Sequence, residues 1–168
     1  MCEHFLWVKS RSFVKVGESR DRNKLDRTKM IVKRHVCKAS HPRAFRRCVN
    51  LPTDRLDLVV NEYVSNEIEE QKHGLSVLFA HANGLPKELY EPFFKSLLTL
   101  LKMEGVPVRS IWAPDVAHQG ESGVCNEDKL GDTVHWHDHA RDMLTLCTHF
   151  DVPQPIIAVG HSMGAHQL

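Results

Sequence analysis

The feature that most constrains this chain is a junction near its C-terminal end. Four apolar residues, Ile156 to Val159, run without a spacer into Gly160-His161-Ser162-Met163-Gly164, and Ala165 and His166 can begin a helix. A short continuous apolar run predicts a strand buried on both faces. A serine between two glycines, at the point where such a strand turns into a helix, matches the strand-turn-helix setting of G-x-S-x-G. The pentapeptide alone is a weak signal, because a loop serine between turn glycines reads the same way. Its setting is what gives it weight. The glycines are needed where the serine backbone is strained and neighbouring segments pass too close for a side chain.

The 80 or so residues before the junction alternate between two periods. Leu75 to Ala80 (LSVLFA) is a second buried-strand run, and His81 to Leu85 (HANGL) reads as a loop. Lys87 to Met103 is helical, with Tyr90, Phe93, Phe94, Leu97, Leu98 and Leu101 on one face at the i, i+3, i+4, i+7 spacing. Pro86 suits the start of that helix and Gly105 its end. Val106 to Ala113 is the next strand, stopped by Pro114, and 114–131 reads as loop. Asp132 to Phe150 is a second helix, with Trp136, Ala140, Met143, Leu144 and Cys147 expected on its buried face. Strand, helix, strand, helix, strand predicts an α/β fold with a mostly parallel sheet and right-handed crossovers.

Upstream the pattern is less regular. Short strands are expected at Phe13 to Val16 and Met30 to Val36. A half-exposed strand is expected where Leu56, Leu58 and Val60 alternate with polar positions, and a polar turn or short helix at Glu67 to Lys72. The chain has 168 residues and a net charge of +1, but residues 1–50 hold 14 of the 22 Lys and Arg and only 4 of the 21 Asp and Glu. The expected division is therefore a basic extension over 1–50 and one folded domain over 51–168. A basic arm on an acidic body suits nucleic acid or an anionic surface, or else packs on the acids of its own body. The second reading is preferred, so no nucleic-acid partner is expected. No run approaches the ~18–20 apolar residues that cross a bilayer. Five cysteines without a secretory signal point to reduced thiols and an intracellular setting. No feature of the sequence specifies an oligomeric state.

Within the expected loop after the first buried strand, His81-Ala82-Asn83-Gly84 sits where an oxyanion hole draws its second N–H, the first coming from the residue after the nucleophile. Ser162 is thus the candidate nucleophile. The N–H groups of Met163 and Asn83 are the candidate oxyanion donors, with Ala82 as the other choice for the loop donor. His81 and His161 are the candidate substrate contacts. Asp115 is placed to fix its loop through backbone N–H groups.

Three blocks, SVLFAHANG, IWAPDVAHQGES and IIAVGHSMGA, stand in an order that resembles the α/β-hydrolase superfamily over roughly residues 52–168. The HANG loop, the DVAHQGES loop and the basic leader resemble the fungal branch of peroxisomal lipase-like hydrolases found in clusters for host-selective toxin biosynthesis. The resemblance implies the N-terminal portion of that fold, incomplete after the elbow strand. It also implies a serine hydrolase acting on an ester or thioester of a lipid- or polyketide-derived acid, and a peroxisomal setting, although His166-Gln167-Leu168 departs from the S-K-L address. Two departures stand out. His118-Gln119-Gly120 replaces the usual Gly-His-Gly. Of the six residues after Ser162 none is a carboxylate, and His166, in the elbow helix, is a poor base. The alternative expectation is therefore a truncated, non-catalytic paralogue lacking the triad acid and histidine.

No cofactor is expected, since neither G-x-x-x-x-G-K-[ST] nor G-x-G-x-x-G is present. No metal is expected either. His135 and His139 share a helix face but His137 does not, so this cluster reads as a solvated face, and His35, Cys37, His41 and Cys48 match no zinc-finger spacing.

Overall fold

A computed structural model describes residues 30–65 and 72–168. Five strands form one mixed sheet: β1 (Met30–Lys38), β2 (Asp57–Ser65), β3 (Leu75–Ala80), β4 (Val108–Pro114) and β5 (Ile156–Gly160), in the order β1-β2-β4-β3-β5. β1, β2 and β4 pair antiparallel, whereas β3 runs parallel to both of its neighbours, β4 and β5. Its burial on both faces explains the unbroken apolar run LSVLFA.

The chain leaves β3 for β4 on one side and returns past β3 to β5 on the other. Right-handed crossovers then put the two connecting helices on opposite faces. α1 (Glu91–Met103), led in by a 3₁₀ turn at Lys87–Tyr90, packs Phe94 and Leu98 against Val77, Phe79, Ile111 and Tyr63. On the other face α3 (Trp136–His149) packs Met143 and Leu146 against Leu78, Ala80, Trp112 and Val60. The alternation along β3, with Val77 and Phe79 one way and Leu78 and Ala80 the other, sorts its side chains between the two cores. Two short helices complete the described elements, α2 (Gly120–Cys125) and α4 (Met163–Gln167). Among the described residues no helix is long and apolar enough to cross a membrane.

Several expectations change. β1 belongs to the sheet although it lies inside the segment expected to be an extension, and Cys37 and Ala39 are in the core. Its basic residues meet acids of the body: Lys33 with Glu62, Lys38 with Asp57, Arg34 with Glu121. The expected strand at Phe13 to Val16 lies outside the described residues, as does Glu67 to Lys72 apart from Lys72. β2 is buried on both faces rather than half-exposed, because it is an inner strand. Its Asn61 survives burial by donating to Glu88 at 3.1 Å.

The segment 114–131 is not all loop. α2 sits on β2, where Ser122 Oγ accepts from Val59 N–H at 2.8 Å and donates to the Asp115 carbonyl at 3.1 Å. α3 buries Met143 as expected, together with Leu146, but its inward face is wider and more polar than its apolar residues mark. Asp138, His139 and Asp142 are buried, while Trp136 and Leu144 are exposed. Polar partners cause this. Asp142 accepts from Ser40 N–H and Oγ at 2.8 and 2.7 Å and from both terminal nitrogens of Arg43 at 2.7 and 3.2 Å; Asp138 accepts from Ala44 N–H at 2.7 Å. Buried carboxylates are stable when they are paired in this way.

Candidate active site

At the C-terminal end of β5 the chain turns through Ser162 with φ 52° and ψ −112°, a conformation that costs a non-glycine residue about 1–3 kcal/mol. The neighbouring glycines make the turn possible. A Cβ on Gly160 would lie 2.5 Å from the Ala165 nitrogen, and one on Gly164 would collide with the Ala80 carbonyl oxygen. His161 N–H donates to that same carbonyl at 3.0 Å, so the turn is drawn against the end of β3. Ser162 is exposed there and Met163 is buried behind it.

The loop after β3 ends at the same edge of the sheet, since β3 and β5 are parallel and paired through Ala80 and Gly160. Its amides have separate fates. Ala82 N–H donates to Tyr90 Oη at 3.0 Å, and Gly84 N–H donates to Gln119 Oε1 at 2.8 Å. Asn83 N–H has no acceptor among the described residues, and neither has Met163 N–H. Gln119 Nε2 also donates to Asn83 Oδ1 at 2.8 Å. The residue that departs from Gly-His-Gly is therefore a clamp on the loop.

His81 lies beneath the loop, with its side chain fully buried. Val116 N–H donates to its Nε2 at 3.0 Å, so Nδ1 carries the proton and donates to the Ala82 carbonyl at 2.8 Å. With both nitrogens engaged, His81 cannot make the substrate contact expected of it; it joins the 81–85 loop to the one after β4. His161 remains exposed, and its Nδ1 is 2.8 Å from Tyr90 Oη.

Asp115 anchors the second loop more extensively than the sequence suggests. Its buried carboxylate accepts from Lys87 N–H at 3.1 Å, Glu121 N–H at 2.9 Å and Lys87 Nζ at 2.6 Å. Lys87 is itself fully buried and also meets Glu88 at 2.7 Å and Glu121 at 3.0 Å. Burial opposes the charge on Lys87, but the hydrogen-bonded carboxylates outweigh it and the net shift of its pKa is upward. The three carboxylates of Glu88, Asp115 and Glu121 come close enough to hold a cation, and the Lys87 ammonium already bonds to all three.

Three further histidines differ in their surroundings. His139, placed on a solvated face by its spacing, is buried 6.3 Å from the His81 ring, and neither of its nitrogens has a partner among the described residues. Burial, with the positive charge of Arg43 nearby, pulls its pKa down to about 3. Burial also lowers that of His118. His166 packs against Trp136 and His137, and no described imidazole is hydrogen-bonded to Ser162.

The family model described as the alpha/beta hydrolase family matches residues 77–168, which is more than half of the chain. The chain belongs to the α/β-hydrolase family. It is 36% identical over 141 residues to a type I acyl-CoA thioesterase of Penicillium brevicompactum, covering 82% of this chain and 32% of that protein. It is 31% identical over 139 residues to the peroxisomal membrane protein LPX1 of Saccharomyces cerevisiae, covering 78% and 36%. Among solved structures it is similar to the peroxisomal α/β-hydrolase Lpx1 of the same yeast, at 30% identity and a TM-score of 0.72, over 82% of this chain and 40% of that one. A hydrolase from Agrobacterium vitis, at 14% identity and a TM-score of 0.53, shares the fold. The chain spans about a third of the length of the curated relatives it matches, so the sheet described here is part of the family's fold.

Proposed function

We propose that this chain carries the nucleophile and the oxyanion donors of a serine hydrolase acting on an ester or thioester of a lipid- or polyketide-derived acid. The observation that carries the reading is the pairing of an exposed serine in a strained, glycine-flanked turn with two uncommitted amides. Ser162 Oγ attacks the acyl carbonyl as a general base takes its proton, the N–H groups of Met163 and Asn83 hold the developing negative charge, and collapse of the adduct expels the protonated alcohol or thiol to leave the acyl-enzyme. Asn83 is preferred to Ala82 because the amides on either side of it are already given to Tyr90 and Gln119. His161 is the remaining candidate for contact with substrate, being exposed beside the nucleophile.

A thioester is the favoured substrate class, supported by the name of the Penicillium relative. A peroxisomal setting is part of the same proposal, supported by the names of the yeast relative and its structure. A role in fungal toxin biosynthesis rests on the resemblance of the HANG and DVAHQGES loops. A second reading, a non-catalytic paralogue, is favoured by one observation: His166, on the C-terminal side of Ser162, packs against Trp136 and His137. A fluorophosphonate probe separates the two. Labelling of the protein that is lost in Ser162→Ala supports the hydrolase, and absence of labelling in the wild type supports the inert form. Release of thiol from medium- and long-chain acyl-CoA then tests the substrate class.

A further inference from the structure

Tyr90 sits between the two halves of the site. Its ring packs on Phe79, with centroids 4.6 Å apart, and against Phe94, which anchors it to the core beneath α1. Its hydroxyl accepts the Ala82 N–H at 3.0 Å and lies 2.8 Å from His161 Nδ1. A phenol has a single proton to give. With one lone pair occupied by Ala82, the good geometry towards Nδ1 is served when the hydroxyl donates to it.

We propose that Tyr90 is a positioning residue that ties the oxyanion loop to the elbow and fixes His161 as its Nε2–H tautomer. The ring of His161 then turns its N–H away from Tyr90. Nothing among the described residues accepts from Nε2, and His161 is exposed. This N–H is a donor directed at substrate, suited to an acyl group that carries an oxygen acceptor close to its carbonyl. Only this substrate contact rests on the serine-hydrolase reading; the tautomer stands apart from it.

The experiment is imidazole nitrogen NMR on the uniformly ¹⁵N-labelled chain at pH 8, with the His161 signals assigned by their loss in His161→Gln. The wild type is expected to show an unprotonated, hydrogen-bonded Nδ1 and a protonated Nε2. In Tyr90→Phe, which keeps the ring packing, His161 is expected to become a mixture of tautomers. Fluorophosphonate labelling of Ser162 is expected to slow about five- to tenfold, as the loss of one or two hydrogen bonds implies. A protonated Nδ1 in the wild type overturns the proposal without any variant, and so does a tautomer that Tyr90→Phe leaves unchanged. If the wild type is not labelled at all, the hydrolase reading fails while the nitrogen shifts still decide the role of Tyr90.

Discussion

The turn at 160–164 and the loop at 81–85 meet at one edge of the sheet, yet they are held by different forces. The turn is shaped by excluded volume. Two glycines admit neighbouring backbone, and the strand and helix on either side force Ser162 to φ 52°. The loop is held by polar contacts with other parts of the chain: Tyr90 on the α1 side, Gln119 before α2, and the Val116 N–H that its own His81 accepts from below. A site can thus combine a nucleophile set by local steric rules with donors set by distant hydrogen bonds. The first should tolerate no added volume, and the second should weaken gradually as each bond is removed.

The sharpest separation between them is Ser162→Ala. It should abolish probe labelling, with any hydrolytic turnover falling by up to about 10⁶-fold. Thermal unfolding should barely move, because the turn depends on its glycines rather than on the hydroxyl.

A pH titration of stability probes the base of the loop. The folded-state pKa of His139 lies near 3, below its ordinary 6.5. Between those values the unfolded chain binds the extra proton, so acid favours unfolding. The contribution of His139 to stability should be fully present above pH 6.5 and decline as the pH falls towards 3. Urea denaturation at a series of pH values should show that decline, and His139→Phe should remove its share of it.

Volume added to the turn comes next. Gly164→Ala drives a Cβ into the Ala80 carbonyl and should cost about 3 kcal/mol of unfolding free energy, read from denaturant titration. A loss below about 1 kcal/mol would break the contrast, since the turn would then yield as readily as the loop. The smallest effect is expected from Gln119→Ala. It frees Gly84 N–H and the Asn83 side chain, so labelling of Ser162 should slow about tenfold with little change in melting temperature. Equal losses of rate and stability there would show that the loop is a structural support and not a tuned donor.

The same contrast governs what could be read without coordinates. The apolar run of β3, the Phe94 and Leu98 face of α1 and the elbow pentapeptide are local, and the sequence shows them directly. β5 is the strand its apolar run predicts, but it lies at the edge of the described sheet with Ile157 exposed rather than buried on both faces. On α3 the apolar period finds Met143 but not the buried Asp138 and Asp142, whose partner Arg43 lies about 100 residues away. Tyr90 read as an ordinary core position, and Gln119 as a mere departure from a motif. Lys87 gave no signal at all, although it is buried among three carboxylates.

The sequence alone determined the parallel β/α core, the strand that ends in Ser162 and the glycines that let it turn. Short-range sterics and hydrophobic period act between neighbours in the chain, so they are written there. Only the tertiary structure decided which amides are free, which histidines are buried and which carboxylates are paired. Those outcomes depend on hydrogen bonds between groups that are distant in sequence and meet only when the sheet has closed over its two cores.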